Sequence, residues 1–290
     1  MDLRAILLGL VFAGAWSSAF TSARIIVAEA PPLSILSIRF LLSGLIACGI
    51  ALALKQSFRL TRAQWRATAL FGVCQNALYL GLNFVAMQSV EASLAAIIAS
   101  VMPLIVALAG WIFFGAKVSA LGAMGLVAGT CGVGLIMGVR LSGGADPYGI
   151  MLCVIGVLAL TAATLALRAA SSGGNFVAVL GLQMLIGGAG LAGPGLAFET
   201  WDVTWSPRLI AAFTYTTLVP GLLATFIWFL LVDRIGAVKA ATFHFLNPFF
   251  GVAIAALLLG ETLGWLDFLG VLVIMAGILA VQISRQNTGQ

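Results

Sequence analysis

Apolar residues run through this chain in long unbroken stretches, and polar residues gather in the short intervals between them. A hydrocarbon layer roughly 30 Å thick needs about 20 mostly apolar residues for each helical crossing. Windows of that length, bounded by charges or turn residues, predict ten membrane helices, at about 4–25, 33–54, 66–88, 93–115, 118–138, 148–170, 176–198, 208–232, 238–259 and 264–283. The longest connectors, around KQSFRLTRAQ, LSGGADP and FETWDVTWSP, leave no room for a soluble domain. The first apolar run continues through Val27, too far for the core of a signal peptide, and is expected to be retained. The predicted fold class is an all-α integral membrane protein.

Polar residues inside the runs are few and patterned. Gln75, Tyr79 and Asn83 recur every four residues and form one stripe along the third crossing. Thr161 and Thr164 share a face of the sixth, and Trp16 and Trp228 add amphipathic aromatic surface. The run ATFHFLNPFF holds the only histidine, His244, with Asn247 and Pro248 one turn further on; Ser100 lies three residues before Pro103. A helical proline has no N–H for the carbonyl four residues earlier, that of Ala99 for Pro103 and of His244 for Pro248. Backbone polarity freed at membrane depth is tolerated only against protein or a water-filled cavity. Candidate substrate contacts are therefore Trp16, Gln75, Tyr79, Asn83, Ser100, Thr161, Thr164, Trp228, His244 and Asn247, with Pro103 and Pro248 as candidate gates. For each polar member the alternative is a hydrogen bond to a neighbouring helix. Arg39 is expected to snorkel, or to pair with Glu29 or Glu91, rather than to touch substrate.

Shifting the sequence by half its length exposes a repeat. VEASLAAIIASVMPL from Val90 falls on IGAVKAATFHFLNPF from Ile235, so that Pro103 meets Pro248, and further on Gly115, Gly125 and Gly132 meet Gly260, Gly270 and Gly277. Two five-helix halves follow, residues 1–142 and 143–290. Five is odd, so the second half is expected to enter the membrane inverted, with the substrate site near the midplane where the halves meet.

Composition and charge narrow the function. Of the 290 residues 62% are hydrophobic and 8% charged, and the net charge of +5 is distributed by topology, not gathered into a nucleic-acid-binding patch. Arg4, Lys55, Arg59, Arg62, Arg66, Lys117, Arg168, Arg234, Lys239 and Arg285 fall on one side, which places both termini in the cytoplasm. Cys48, Cys74, Cys131 and Cys153 lie inside crossings at unrelated spacings, so neither a metal nor a cofactor is called for. No Asp or Glu falls in the middle third of a crossing, and neither paired carboxylates nor an HExxH motif is present to support an embedded enzyme. A sugar phosphate would want several buried cations and an organic cation a buried carboxylate. A small neutral or zwitterionic metabolite with an apolar side chain fits better.

WSSAF in the first helix, PP followed by a helix containing RF, two Ala-rich helices broken at Pro103 and Pro248, and GETLGWLDFLGVLVIMAGI near the end together resemble the drug/metabolite transporter superfamily. More narrowly, the chain is similar over nearly its whole length to the ten-helix EamA branch, and within it to YddG-type exporters of aromatic and other neutral amino acids. The resemblance implies two inverted five-helix halves around a central cavity; because both halves are present in one chain, a monomeric transport unit working by alternating access is expected, in the inner membrane. One departure stands out: the Gly-Glu pair is Gly260-Glu261 in the second half and Gly115-Ala116 in the first. With His244 the sole candidate proton carrier in the interior, facilitated diffusion is expected; a proton-coupled antiporter is the alternative, and a channel the second.

Overall fold

The computed structural model describes residues 3–115, 118–167, 175–235 and 237–288. Lys117, Arg168 and Ala116, which entered the charge and repeat readings, lie outside the described residues. Regular structure among the described residues is entirely helical, and ten segments are long and apolar enough to cross a membrane. They are α1 (Leu3–Val27), α2 (Pro32–Ala53), α3 (Arg62–Ala86), α4 (Ala92–Ser100 and Met102–Phe114), α5 (Ala120–Ser142), α6 (Pro147–Leu167), α7 (Phe176–Phe198), α8 (Pro207–Thr216 continued by Thr217–Leu223 and Ala224–Ile235), α9 (Ala237–Ala241, Thr242–Leu246 and Asn247–Leu259) and α10 (Trp265–Thr288).

Four of these helices are irregular, and the irregularities repeat at a spacing of 145 residues. In α3 the segment Gly72–Leu80 is wound as a π-helix, and in α8 so is Thr217–Leu223, where Pro220 has no N–H to give. In α4 the helix turns at Val101 and restarts at Met102; in α9 a 3₁₀ stretch, Thr242–Leu246, precedes a restart at Asn247. Both restarted pieces end on a glycine in the left-handed region, Gly115 at φ 62° and Gly260 at φ 68°, a conformation costly for any residue with a Cβ.

The chain divides into two compact units interleaved along the sequence. Met1–Thr21, Ser89–Ile150 and Leu223–Gln290 make the first; Ser22–Gln88 and Met151–Leu222 make the second. In the first unit α5 and α10 pack antiparallel with almost no side chain between them. A Cβ on Gly125 would meet the Gly277 carbonyl oxygen at 2.7 Å, and one on Gly277 the Gly129 nitrogen at 2.6 Å. The hydroxyls of Ser119 and Ser284 close one end of this seam at 2.6 Å. In the second unit α2 and α7 pack antiparallel in the same manner: a Cβ on Gly181 would lie 2.9 Å from the Cys48 nitrogen, and one on Gly188 3.1 Å from that of Leu41. Lipid tails are as apolar as leucine, so burial gives these helices little reason to associate; close backbone approach and dispersion supply it.

Carboxylates hold the helix N-termini, where the first N–H groups have no partner within the helix. Glu261 accepts from the Ala92 and Ser93 amides at 2.8 and 3.0 Å in the first unit, and Glu199 from those of Leu33 and Ser34, both at 2.8 Å, in the second. The start of α7 is met by a neutral group, the Gln56 side-chain oxygen on the Ala178 amide at 3.1 Å. Ahead of α6, outside the membrane-spanning segments, the Ser89 hydroxyl holds the Asp146 carboxyl below the ordinary carboxylate range, with the Tyr148 and Gly149 amides adding to the effect. Arg140 in the last turn of α5 contacts Glu91, at the start of α4, and Asp267 at 3.1 Å, in the first turn of α10. That neutralised cation lets α5 continue to Ser142, four residues past the end its apolar run alone suggests.

Hydrogen bonds to a charged group contribute about 1.5–3 kcal/mol, and Glu261 makes two at a helix terminus. Glu261→Ala is therefore expected to lower the thermal midpoint in detergent by several degrees. Glu261→Gln, which keeps an acceptor without the charge, should lose about half as much. Differential scanning fluorimetry of the two variants checks this; equal midpoints for Ala and wild type would show that the cap contributes nothing.

Candidate functional site

An aromatic cluster lies within the first unit, where α1 meets the Ala224–Ile235 piece of α8 and the 3₁₀ stretch of α9. Phe12 is at its centre, 99% buried, with ring centroids 5.8 Å from Trp16, 4.9 Å from Trp228 and 5.3 Å from His244. His244 stands edge-on to Phe12 and Trp16 and lies 5.2 Å from Trp228. Offset and edge-to-face arrangements of this kind let the positive ring edges meet the negative faces. Phe243, next to the histidine, belongs to an adjoining apolar cluster with Ala5, Leu231 and Ala240, against which Trp228 also packs.

The break in α9 gives this cluster its polar character. With the Asn247 amide assigned so that Nδ2 faces the ring, it donates to His244 Nδ1 at 2.9 Å. An amide nitrogen only donates, so Nδ1 must accept, and the imidazole proton resides on Nε2. The backbone carbonyl of Asn247 accepts the Ser17 hydroxyl from α1 at 3.2 Å, while its side-chain Oδ1 is buried without a partner. Pro248 does not leave the His244 carbonyl bare, as an uninterrupted helix would: the Asn247 amide turns back onto it, three residues away. At the equivalent place in α4, the Val101 amide reaches the Ile98 and Ala99 carbonyls, and the Ser100 hydroxyl returns to the Ile97 carbonyl at 2.7 Å. Pro103 and Pro248 are both buried.

Sequence spacing groups Gln75, Tyr79 and Asn83, and all three belong to the second unit. Tyr79 and Asn83 are nearly fully buried and Gln75 half-buried. The Asn83 amide donates to the Tyr79 carbonyl at 2.8 Å, on its own helix, and its Oδ1 has no partner. The adjacent Asn76 bonds across to the Gln183 carbonyl of α7 at 3.0 Å. Gly156 of α6 lets Asn83 approach, since a Cβ there would lie 2.8 Å from its Nδ2. Thr161 and Thr164 both return their hydroxyls to α6, onto the Val157 and Leu160 carbonyls.

Two features of the second unit were not anticipated from the sequence. A cavity of ≈ 570 Å³ opens at the α1–α2 and α7–α8 connectors, with Glu29, Glu199 and Asp202 among its walls. Arg39 also departs from the expected pairing with Glu29 or Glu91, because both acids are engaged elsewhere: Glu29 accepts the Ser206 hydroxyl, and Glu91 pairs with Arg140. Nor does it snorkel, being only 5% exposed.

The EamA-like transporter family model matches this chain twice, over residues 3–138 and over 147–283. Among curated relatives, the uncharacterized transporter YvbV of Bacillus subtilis (strain 168) is 23% identical over 267 residues, 92% of this chain and 87% of that protein. The uncharacterized inner membrane transporter YedA of Escherichia coli (strain K12) is 25% identical over 280 residues, 93% of this chain and 88% of YedA. A solved crystal structure superposes over the whole of both chains with a TM-score of 0.67 at 17% identity, a likeness of fold.

The aromatic cluster separates two kinds of residue by experiment. Phe12 is core, so Phe12→Ala should cost about 3–5 kcal/mol and melt markedly lower. Trp16 is half-buried and touches only Phe12 and His244 in this cluster. Trp16→Ala should reduce flux into proteoliposomes about tenfold, the equivalent of about 1.4 kcal/mol, with a midpoint near that of wild type. Wild-type flux in Trp16→Ala would return Trp16 to ordinary packing.

Proposed function

This chain belongs to the EamA-like transporter family, and from that premise we propose that it exports small neutral or zwitterionic metabolites with apolar side chains, aromatic and other apolar amino acids above all. It is a multi-pass membrane transporter, not an enzyme. The observation that carries the substrate reading is the aromatic group of Phe12, Trp16 and Trp228 gathered around one imidazole whose Nδ1 is taken by Asn247. Such a surface offers ring faces to an apolar side chain and, from Nε2–H, one donor to a polar atom. In this reading Trp16, Trp228, His244 and Asn247 contact substrate, and the interruptions before Pro103 and Pro248 are the places where α4 and α9 bend as access alternates. Gln75, Tyr79, Asn83, Ser100, Thr161 and Thr164 are proposed as further substrate contacts.

The family model matching twice, the irregular helices recurring at one spacing and the antiparallel packing of α5 on α10 and of α2 on α7 support an inverted duplication with halves at 1–142 and 143–290. Both orientations are then present in one chain, so the transport unit is the monomer. YedA carries inner membrane in its name, and we place this protein there also, with both termini cytoplasmic from its Lys and Arg asymmetry.

The absence of an interior carboxylate in the sequence favours facilitated diffusion over proton exchange. Proteoliposomes holding an apolar amino acid, with no pH or voltage difference, should show saturable flux and counterflow, the latter distinguishing a carrier from a channel. His244→Gln, which keeps a donor and an acceptor, should retain much of this flux, and His244→Phe should lose about tenfold. Flux that appears only under an imposed proton gradient, and loses that dependence in His244→Gln, would make His244 a coupling site and overturn the uniport reading.

A further inference from the structure

Arg39 is the one cation buried in the second unit for which the described residues provide no counter-charge. It lies seven residues into α2, about 10 Å along the helix from Pro32. The acids of this unit are Glu29, Glu199 and Asp202. Glu29 is bonded by Ser206, Glu199 is spent on the start of α2, and no ion pair among the described residues involves Arg39. Its Nε is buried without a hydrogen-bond partner, and so is the hydroxyl of Ser43, one turn along the same helix face. Phe40 places its ring 4.9 Å beneath the guanidinium, which steadies the group and its plane without neutralising it.

The two orphaned groups converge on one spot of α8. A Cβ on Gly221 would lie at contact distance from both, 3.4 Å from Arg39 Nη2 and 3.9 Å from Ser43 Oγ, so the two side chains face the same point of α8, and glycine adds no side chain there. Gly221 lies in the π segment, directly after Pro220. An unpaired buried charge is among the most costly features a protein interior can carry, and a membrane interior adds to the cost. A planar fork of donors beside a free hydroxyl is the geometry that receives a carboxylate.

We propose that Arg39, with Ser43, is the recognition site for the carboxylate of the transported molecule, and that glycine at 221 leaves no side chain to compete with that carboxylate for the two groups. The inference deepens the amino-acid reading above and rests on it for the chemical class of the substrate. One guanidinium and one hydroxyl suit a singly charged head; a phosphate dianion would leave charge unmatched.

The test uses purified full-length protein and thermal-shift titrations with L-phenylalanine, phenylacetate and benzoate, each against its own amide. Wild type should bind the carboxylates at least about tenfold more tightly than the amides. Arg39→Gln should bring that ratio to about one, without lowering the ligand-free midpoint, since it removes a charge that nothing balances. Ser43→Ala leaves the charge in place and should shrink the ratio by about two- to fivefold; it carries the test should Arg39→Gln fail to fold. An undiminished ratio in both variants, no preference for carboxylates in wild type, or a lower ligand-free midpoint in Arg39→Gln with its ratio intact would each overturn the proposal. Binding of phenylacetate and benzoate but not of L-phenylalanine would uphold Arg39 and defeat the amino-acid reading. L-phenylalanine and its amide binding equally would defeat Arg39 and leave that reading standing.

Discussion

Within a bilayer there is no water to satisfy a backbone amide or carbonyl, and the rest of this structure depends on that constraint. Ten helices satisfy most of the backbone within themselves. The informative places are those where the pattern lapses, because each lapse must be repaired locally. At Val101 and Leu246 the chain tightens so that carbonyls left by the prolines receive amides from two or three residues away. Side chains supply further partners: Ser17 to the Asn247 carbonyl, Asn76 to that of Gln183, Ser37 to that of Gly188. Among the described residues, some polar side chains are thus spent on the backbone or on one another, and others are left with capacity to spare.

That division decides which residues are available for chemistry. Thr161, Thr164 and Ser100 donate their hydroxyl protons to their own helices and keep only acceptor capacity for a ligand. His244 keeps one ring nitrogen free because Asn247 occupies the other, and Arg39 and Ser43 keep donors that no described neighbour uses. Polar capacity without a partner at membrane depth is unfavourable for folding, and a substrate that took it up at Arg39, Ser43 and His244 would recover that cost.

The apolar runs displayed the ten crossings because a bilayer sets one length for all of them, and the prolines marked the breaks in α4 and α9 because proline lacks a donor wherever it stands. Trp16, Trp228, His244 and Asn247 were legible for a related reason: such residues are uncommon amid aliphatic runs. Phe12 was not, since one phenylalanine in a hydrophobic helix is indistinguishable from its neighbours until the fold sets three rings around it. The π segments were hidden as well. Pro220 hints at the second, but Gly72–Leu80 contains no residue that dictates a wider turn. Arg39 was misread because pairing is a property of three dimensions: the acids that looked available in sequence had nearer claimants.

The interleaving of the two units bears on how the protein is made. The second unit has all its parts once Leu222 has emerged, but the first begins with Met1 and closes only with the last helix. At about 5–20 residues per second, synthesis of these residues takes roughly 15–60 s. For much of that interval α5 lies in the membrane with its glycine face open, while α6 to α9 are made and before α10 exists to cover it. A bare groove of that kind can be filled by any small-residue helix, including one from another nascent chain. The charged ends of the seam, Arg140 with Asp267, and the paired hydroxyls of Ser119 and Ser284 then act as an address, selecting the late-arriving α10 over competitors that fit the groove but not its ends.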